Sequence, residues 1–222
     1  MGRIDWNSFI SNLIAVVLGI FITFGIQGII DSREEKANVL SALELVKEEL
    51  VTNRDNLNEV IGLMGAEKKA AEFILANKGG LARCDADTLL ANHTVLCSEF
   101  FMTVTEDALE LMKSSSLFQK MNDNSLALSI IKAYDFLDAN SQSFNTHEKY
   151  KINLCEAANT DDVKKAALVS SGPAYIEKFY SSAEAGYFIQ AVIEMADNPF
   201  ISNSLSEIDA TISSIDSIIA GK

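Results

Sequence analysis

Proline is scarce, with only Pro173 and Pro199 in 222 residues. Little therefore interrupts a helix, and the chain lacks much of the turn chemistry that sheet proteins rely on. Glycine adds few breaks, because the eleven glycines fall mostly in one apolar stretch or at apparent helix ends. Ala, Leu, Glu, Lys and Ser fill the remainder and favour an all-α fold. Positive charge is also short: 18 Lys and Arg face 31 Asp and Glu, a formal charge of −13. Phosphate backbones need clustered cations, so nucleic acid is not an expected partner. The same deficit argues against flat adsorption on anionic lipid. The basic runs are no longer than Lys68-Lys69 and Lys164-Lys165.

Histidine is limited to His93 and His147. No paired-histidine metal motif, serine-triad order or glycine-rich phosphate loop occurs. The expectation is no catalytic residue, no cofactor and no metal. His147-Glu148, two helical turns before Cys155, makes a crude ligand set but reads more simply as an ordinary helix surface. A Cys–His nucleophilic site would require folding to bring a histidine to a cysteine. The acidic pairs Glu48-Glu49 and Asp161-Asp162 read as solvated faces or helix starts. Three cysteines, Cys84, Cys97 and Cys155, allow either a Cys84–Cys97 disulfide in an oxidising compartment or three unpaired thiols. Neither arrangement has zinc-site spacing.

What the chain has in abundance is one uncharged run, Phe9 to Ile30, FISNLIAVVLGIFITFGIQGII. At about 1.5 Å per residue it spans a hydrocarbon core of about 30 Å with room to tilt. Asp5 and the interfacial Trp6 precede it, and Asp31-Ser32-Arg33-Glu34-Glu35-Lys36 follows abruptly. A cleaved signal peptide would have a shorter apolar core, a more basic leader and a small-residue cleavage site. The run reads instead as an uncleaved anchor. Within it Ser11, Ala15, Gly19, Thr23 and Gln27 recur every four residues, along one ridge of a helix. Small residues let helix backbones approach in lipid, and polar ones bond across the contact, so the ridge predicts self-association. The expected organisation is a tail over 1–8, a membrane helix over 9–30, a helical stalk over 31–77 and a soluble helical domain over 78–222. A short tail before a large domain is signal-anchor geometry. It places the domain outside the cytoplasmic membrane.

The stalk carries its own pattern. Val39, Leu43, Val46, Leu50, Asn53, Leu57, Val60 and Met64 alternate spacings of four and three. This is a heptad stripe with one polar member, suited to a coiled coil between subunits or to the core of a bundle within one chain. Lys78-Gly79-Gly80 ends the helix. The stretch from Leu81 to Met102 is the least regular. Helices are then expected from Thr105 to Ser115, from Ser125 towards Cys155, after Thr160-Asp161-Asp162, and over 174–196. For the second of these the expected apolar face is Leu128, Ile131, Tyr134 and Leu137. In the last segment Ile201, Leu205, Ile208, Ile212, Ile215 and Ile219 repeat the stalk spacing. Such a helix is marginal alone, and antiparallel pairing with the stalk stripe would cover it.

Two stretches carry a family resemblance. IAVVLGIFITFGIQGIIDSREEKANVLSALELVKEELVTNRDNL resembles the start of a bacterial family of single-pass membrane proteins of uncharacterised function. In that family an apolar segment with a leucine-glycine-isoleucine step, here Leu18-Gly19-Ile20, runs directly into a charged helix. TEDALELMKSSSLFQKMNDNSLALSIIKAYDFL is similar to a serine-rich stretch and following helix of the same family. The chain departs from the pattern in lacking a tryptophan just after the apolar segment and in its short, weakly basic leader. The resemblance implies a helical protein anchored in a bacterial cytoplasmic membrane, so that an outward-facing domain is periplasmic, and supplies no catalytic residues. The function expected is a non-enzymatic, homo-oligomeric scaffold or interaction and sensor module, with the bilayer, its own copies and a protein as partners. The alternative is a ligand-gated membrane effector in defence or stress.

Overall fold

The computed structural model describes residues 32–121, 123–169 and 173–221. The span 9–30, with its ridge of Ser11, Ala15, Gly19, Thr23 and Gln27, lies outside the described residues. Among the described residues the fold is all-helical without strands. No helix there is long and apolar enough to cross a membrane.

The spine is α1, Ser32–Ala76, a single helix of 45 residues. It is about 68 Å long at 1.5 Å per residue. Leu43, Val46, Leu50, Asn53, Leu57, Val60 and Met64 are all buried, and the half-buried Val39 packs beside them. The stripe is thus covered by the chain's own helices. The chain leaves α1 through Gly79, whose φ of +84° lies in the left-handed region that favours glycine. A short 3-10 turn, Leu81–Arg83, leads into α2, Ala86–Cys97, capped by Asp85 accepting from Thr88 N at 2.9 Å. Most of the stretch expected to be irregular is therefore helical.

Residues 98–106 have no regular structure and lead to α3, Asp107–Ser114, and α4, Leu117–Lys120. Next comes α5, Asn124–Ala158, 35 residues long and capped by Asp123. The short α6, Asp161–Val169, and α7, Pro173–Tyr180, follow, and then α8, Ala183–Ala196, and α9, Pro199–Ala220. The single helix expected over 174–196 is broken, because Ser182 turns extended and caps α8 by accepting from Ala185 N.

Polar contacts fix the directions. Glu49 meets Tyr134 and Glu67 meets Lys151, so α5 runs parallel to α1. Lys47–Asp216, Arg54–Asp209 and Lys68–Asp197 place α9, with the turn that precedes it, antiparallel to α1. Exposed pairs of this kind contribute little stability, but they report the register. Ile201, Ile208, Ile212 and Ile215 are buried, with Leu205 and Ile219 packed alongside. The antiparallel pairing of the two stripes is the arrangement the periodicity called for. Of the face expected for α5, Tyr134 and Leu137 are buried and Ile131 is half-buried, but Leu128 is not part of the buried face. Leu128 is 59 % exposed, whereas Leu126, Ile130, Ala133, Tyr134, Leu137 and Phe144 are buried.

Two apolar cores result. The proximal core joins the first two thirds of α1 to α3, α4, α5 and α9. The distal core joins the end of α1 to α2, α6, α7 and α8. Between α1 and α5 the segment 98–106 is held by side chains. Met102 N donates to Asn145 Oδ1 at 2.9 Å, and Met102 O accepts from Ser141 and Asn145. Thr105 N donates to Asn53 Oδ1 at 3.0 Å and Thr105 O accepts from Asn53 Nδ2 at 2.7 Å. Asn53 therefore acts as a peptide mimic, supplying the bonds that an extended segment cannot make to itself.

Candidate functional site: a distal pocket with paired thiols

A charged cluster lies between the two cores. Lys151, 1 % exposed, contacts both Glu67 and Glu148, the latter at 2.8 Å. Glu148 is fully buried and also accepts from Phe100 N at 3.3 Å, while its Oε1 makes no hydrogen bond within the described residues. One cation thus serves two buried carboxylates. Desolvation penalises the charged form, and burial accordingly raises the Glu67 pKa, with Lys151 opposing. The surface reading of His147-Glu148 fails at Glu148. Glu49 is likewise not a solvated acid. It accepts from Tyr134 Oη at 2.6 Å and from Ala108 N at 3.2 Å, and burial raises its pKa.

One helical turn beyond Lys151 is Cys155, and here the chain brings its reactive side chains together. Cys155 Sγ lies 3.3 Å from Cys97 Sγ, and Cys97 Sγ lies 3.8 Å from His93 Nδ1. His93 Nδ1 is in turn 3.1 Å from Tyr180 Oη. The imidazole meets Tyr175, Phe179 and Tyr180 edge to face, with centroids 5.7, 5.2 and 5.6 Å away. Such edge contacts fix a ring's plane and bury part of it. Burial lowers the His93 pKa, so the ring is neutral near pH 7.

These groups open on a pocket of about 550 Å³. Cys97 and His93 come from α2, Cys155 and Asn159 from α5 and its cap, Lys164 and Leu168 from α6, and Tyr175 and Phe179 from α7. The volume suits a small molecule, and the lining combines apolar walls with a few convergent polar groups. The contact with Cys155, followed by burial, raises the Cys97 pKa, while the same contact lowers that of Cys155, helped by the Lys151 charge. A thiolate at Cys155 is the nucleophilic form. Among the described residues no cluster of three or more His, Cys, Asp or Glu is arranged to hold a metal ion.

Of the two readings of the cysteines, the structure has the three unpaired thiols, and the Cys84–Cys97 disulfide is corrected. Cys84 precedes α2 and Cys97 ends it. A helix of twelve residues is about 18 Å long, against the 7 Å or less that a disulfide allows between Cα atoms. Cys84 Sγ rests instead 3.9 Å from Gly80 O. The seam residues Val39 to Met64 serve the proximal core and take no part in the pocket. Sequence reasoning missed Cys155 as the partner of Cys97. The available signal was spacing: His93 and Cys97 are four apart on one helix, as are Lys151 and Cys155 on another, so each pair shares a face.

No family model, curated protein or solved structure matches the chain.

Proposed function

We propose that this chain is a non-enzymatic, membrane-anchored helical module that assembles with its own copies and carries a sensing or docking site at the distal end of its domain. The observation that carries this reading is the continuity of α1. The helix is described from Ser32, the second residue past the uncharged run 9–30, contributes to both cores, and ends beside the helices that build the pocket. A helix packed along its length moves as a unit, so a change at one end is felt at the other. The anchor rests on the length and lack of charge of 9–30, and the association on the ridge of Ser11, Ala15, Gly19, Thr23 and Gln27. The family resemblance of the two quoted stretches points the same way.

The pocket favours a second reading, a ligand-gated membrane effector. In that case a small molecule bound among α2, α5, α6 and α7 would shift α1 and rearrange the anchors, as a differential affinity for two states requires.

Membrane fractionation with amine-reactive cross-linking tests the first reading. The full chain is expected to pellet with membranes, to need detergent for release, and to give cross-linked oligomers that Gly19→Leu diminishes. Recovery in the aqueous fraction without detergent would remove the anchor, and a purely monomeric pattern would remove the assembly.

A further inference from the structure

We propose that Cys97 and Cys155 form a peroxide-responsive dithiol site, which a hydroperoxide entering the distal pocket converts to an intramolecular disulfide between α2 and α5. The inference deepens the sensing half of the proposed function and needs only the folded domain, not the anchor.

Geometry carries it. The sulfurs are 3.3 Å apart, come from different helices and both line the pocket. A disulfide needs about 2.05 Å, so about 1 Å of approach closes the bond. Both residues sit at helix ends, where a small shift does not have to move a whole helix. Cys97 is the last residue of α2, followed by the irregular segment 98–106, and Cys155 lies in the last turn of α5. Around them the pocket supplies access, His93 stands 3.8 Å from Cys97 Sγ, and Lys151 places positive charge near Cys155. Cys84 shares none of these features and serves as an internal control.

The chemistry balances with a hydroperoxide as the oxidant. The Cys155 thiolate attacks the terminal oxygen, the S–O bond forms as the O–O bond breaks, and the departing hydroxide or alkoxide takes a proton. Cys155 is then a sulfenic acid. Cys97 gives up its proton and attacks Cys155 Sγ, forming the S–S bond as the S–O bond breaks, and hydroxide leaves with that proton as water. Two electrons pass from the two thiols to the peroxide, and a dithiol reductant reverses the change by exchange.

The test uses the full chain in detergent, first reduced, then treated with hydrogen peroxide, alkylated and mapped by mass spectrometry. Cleavage before aspartate separates Cys84 from Cys97, because Asp85 and Asp87 lie between them. The expected product is a Cys97–Cys155 cross-link that forms about tenfold faster than Cys84 is modified. It should revert with dithiothreitol. In Cys97→Ser the expected product is a sulfenic acid at Cys155, trapped by dimedone. A bond involving Cys84, or oxidation of all three thiols at similar rates, would overturn the assignment. The wild-type map alone decides this, whatever the folding of the variant. Sedimentation of the same chain with membranes reports separately on the anchor.

Discussion

The proximal and distal halves of the domain solve the same packing problem differently. In the proximal half, long stretches of α1, α5 and α9 bury aliphatic stripes at regular heptad spacing, and the one irregular crossing is pinned by Asn53, Ser141 and Asn145. In the distal half the same α1 is met by short helices, aromatic edges and two thiols around a pocket. Leu168 and Val169 there are 88 % and 89 % exposed. Regular stripes bury area evenly and open as a unit, whereas short helices with few long-range contacts open locally at lower free energy. One long helix thus carries regular heptad packing along its first part and a thiol-lined pocket near its end.

The cluster at the junction offers the sharpest way to break that contrast. Lys151→Met leaves Glu67 and Glu148 buried without their cation, and removing one partner of a buried ion pair costs about 3–5 kcal/mol. Urea denaturation is expected to show that loss. Hydrogen exchange is expected to show α2, α6 and α7 losing protection before α1. Adding Glu67→Gln and Glu148→Gln should restore much of the stability. Uniform loss of protection in both halves would show a single cooperative unit instead.

A pair of leucines measures the contrast on a common scale. Leu50 is fully buried in the proximal core. Its replacement by Ala is expected to cost about 3 kcal/mol, within the range for buried leucines. Leu168→Ala, on the exposed face of α6, is expected to change stability by less than about 0.5 kcal/mol. Equal losses at the two positions, read from denaturation midpoints, would mean that Leu168 is covered in solution.

The crossing segment ranks next. Asn53→Ala leaves the amide and carbonyl of Thr105 without their partners, a change expected to cost about 2 kcal/mol in the same assay. Asn53 also marks the boundary of what could be read from the chain alone. Its place on a stripe was legible, because spacings of three and four survive a single polar member. Its partner was not, because Thr105 lies on an irregular segment with no periodicity to align. The antiparallel match of α1 with α9 could be read for the same reason that the stripes could. On α5 the expected face steps by threes from Leu128 to Leu137, which drifts off the helical period and takes in the exposed Leu128, while lower down the stripe continues through Glu148 and Lys151, whose charges mask it. The thiol site was hidden because it joins α2 to α5, and a straight α2 holds its own two flanking cysteines apart.

The pH dependence of stability carries a smaller effect than the Asn53 substitution. Burial, with the Lys151 charge second, lowers the His147 pKa from 6.5 to about 4. The unfolded chain therefore binds a proton that the folded chain refuses, and stability falls as pH drops from about 6.5 through about 4. The full shift would correspond to about 3 kcal/mol, and partial exposure of the ring brings the expectation nearer 1 kcal/mol. Glu49 and Glu67 work in the opposite sense. Their raised pKa values give stability that is complete below the unfolded carboxylate value and lost as pH rises through the folded one. Both trends are present in the wild type, so the total profile does not isolate either. The difference between wild type and His147→Gln does, because the carboxylates are common to both. That difference should narrow by about 1 kcal/mol, to the wild type's disadvantage, between neutral pH and pH 4. Parallel profiles would mean that water reaches the imidazole freely, and that the packing around α5 is looser at His147 than the burial of its neighbour Glu148 requires.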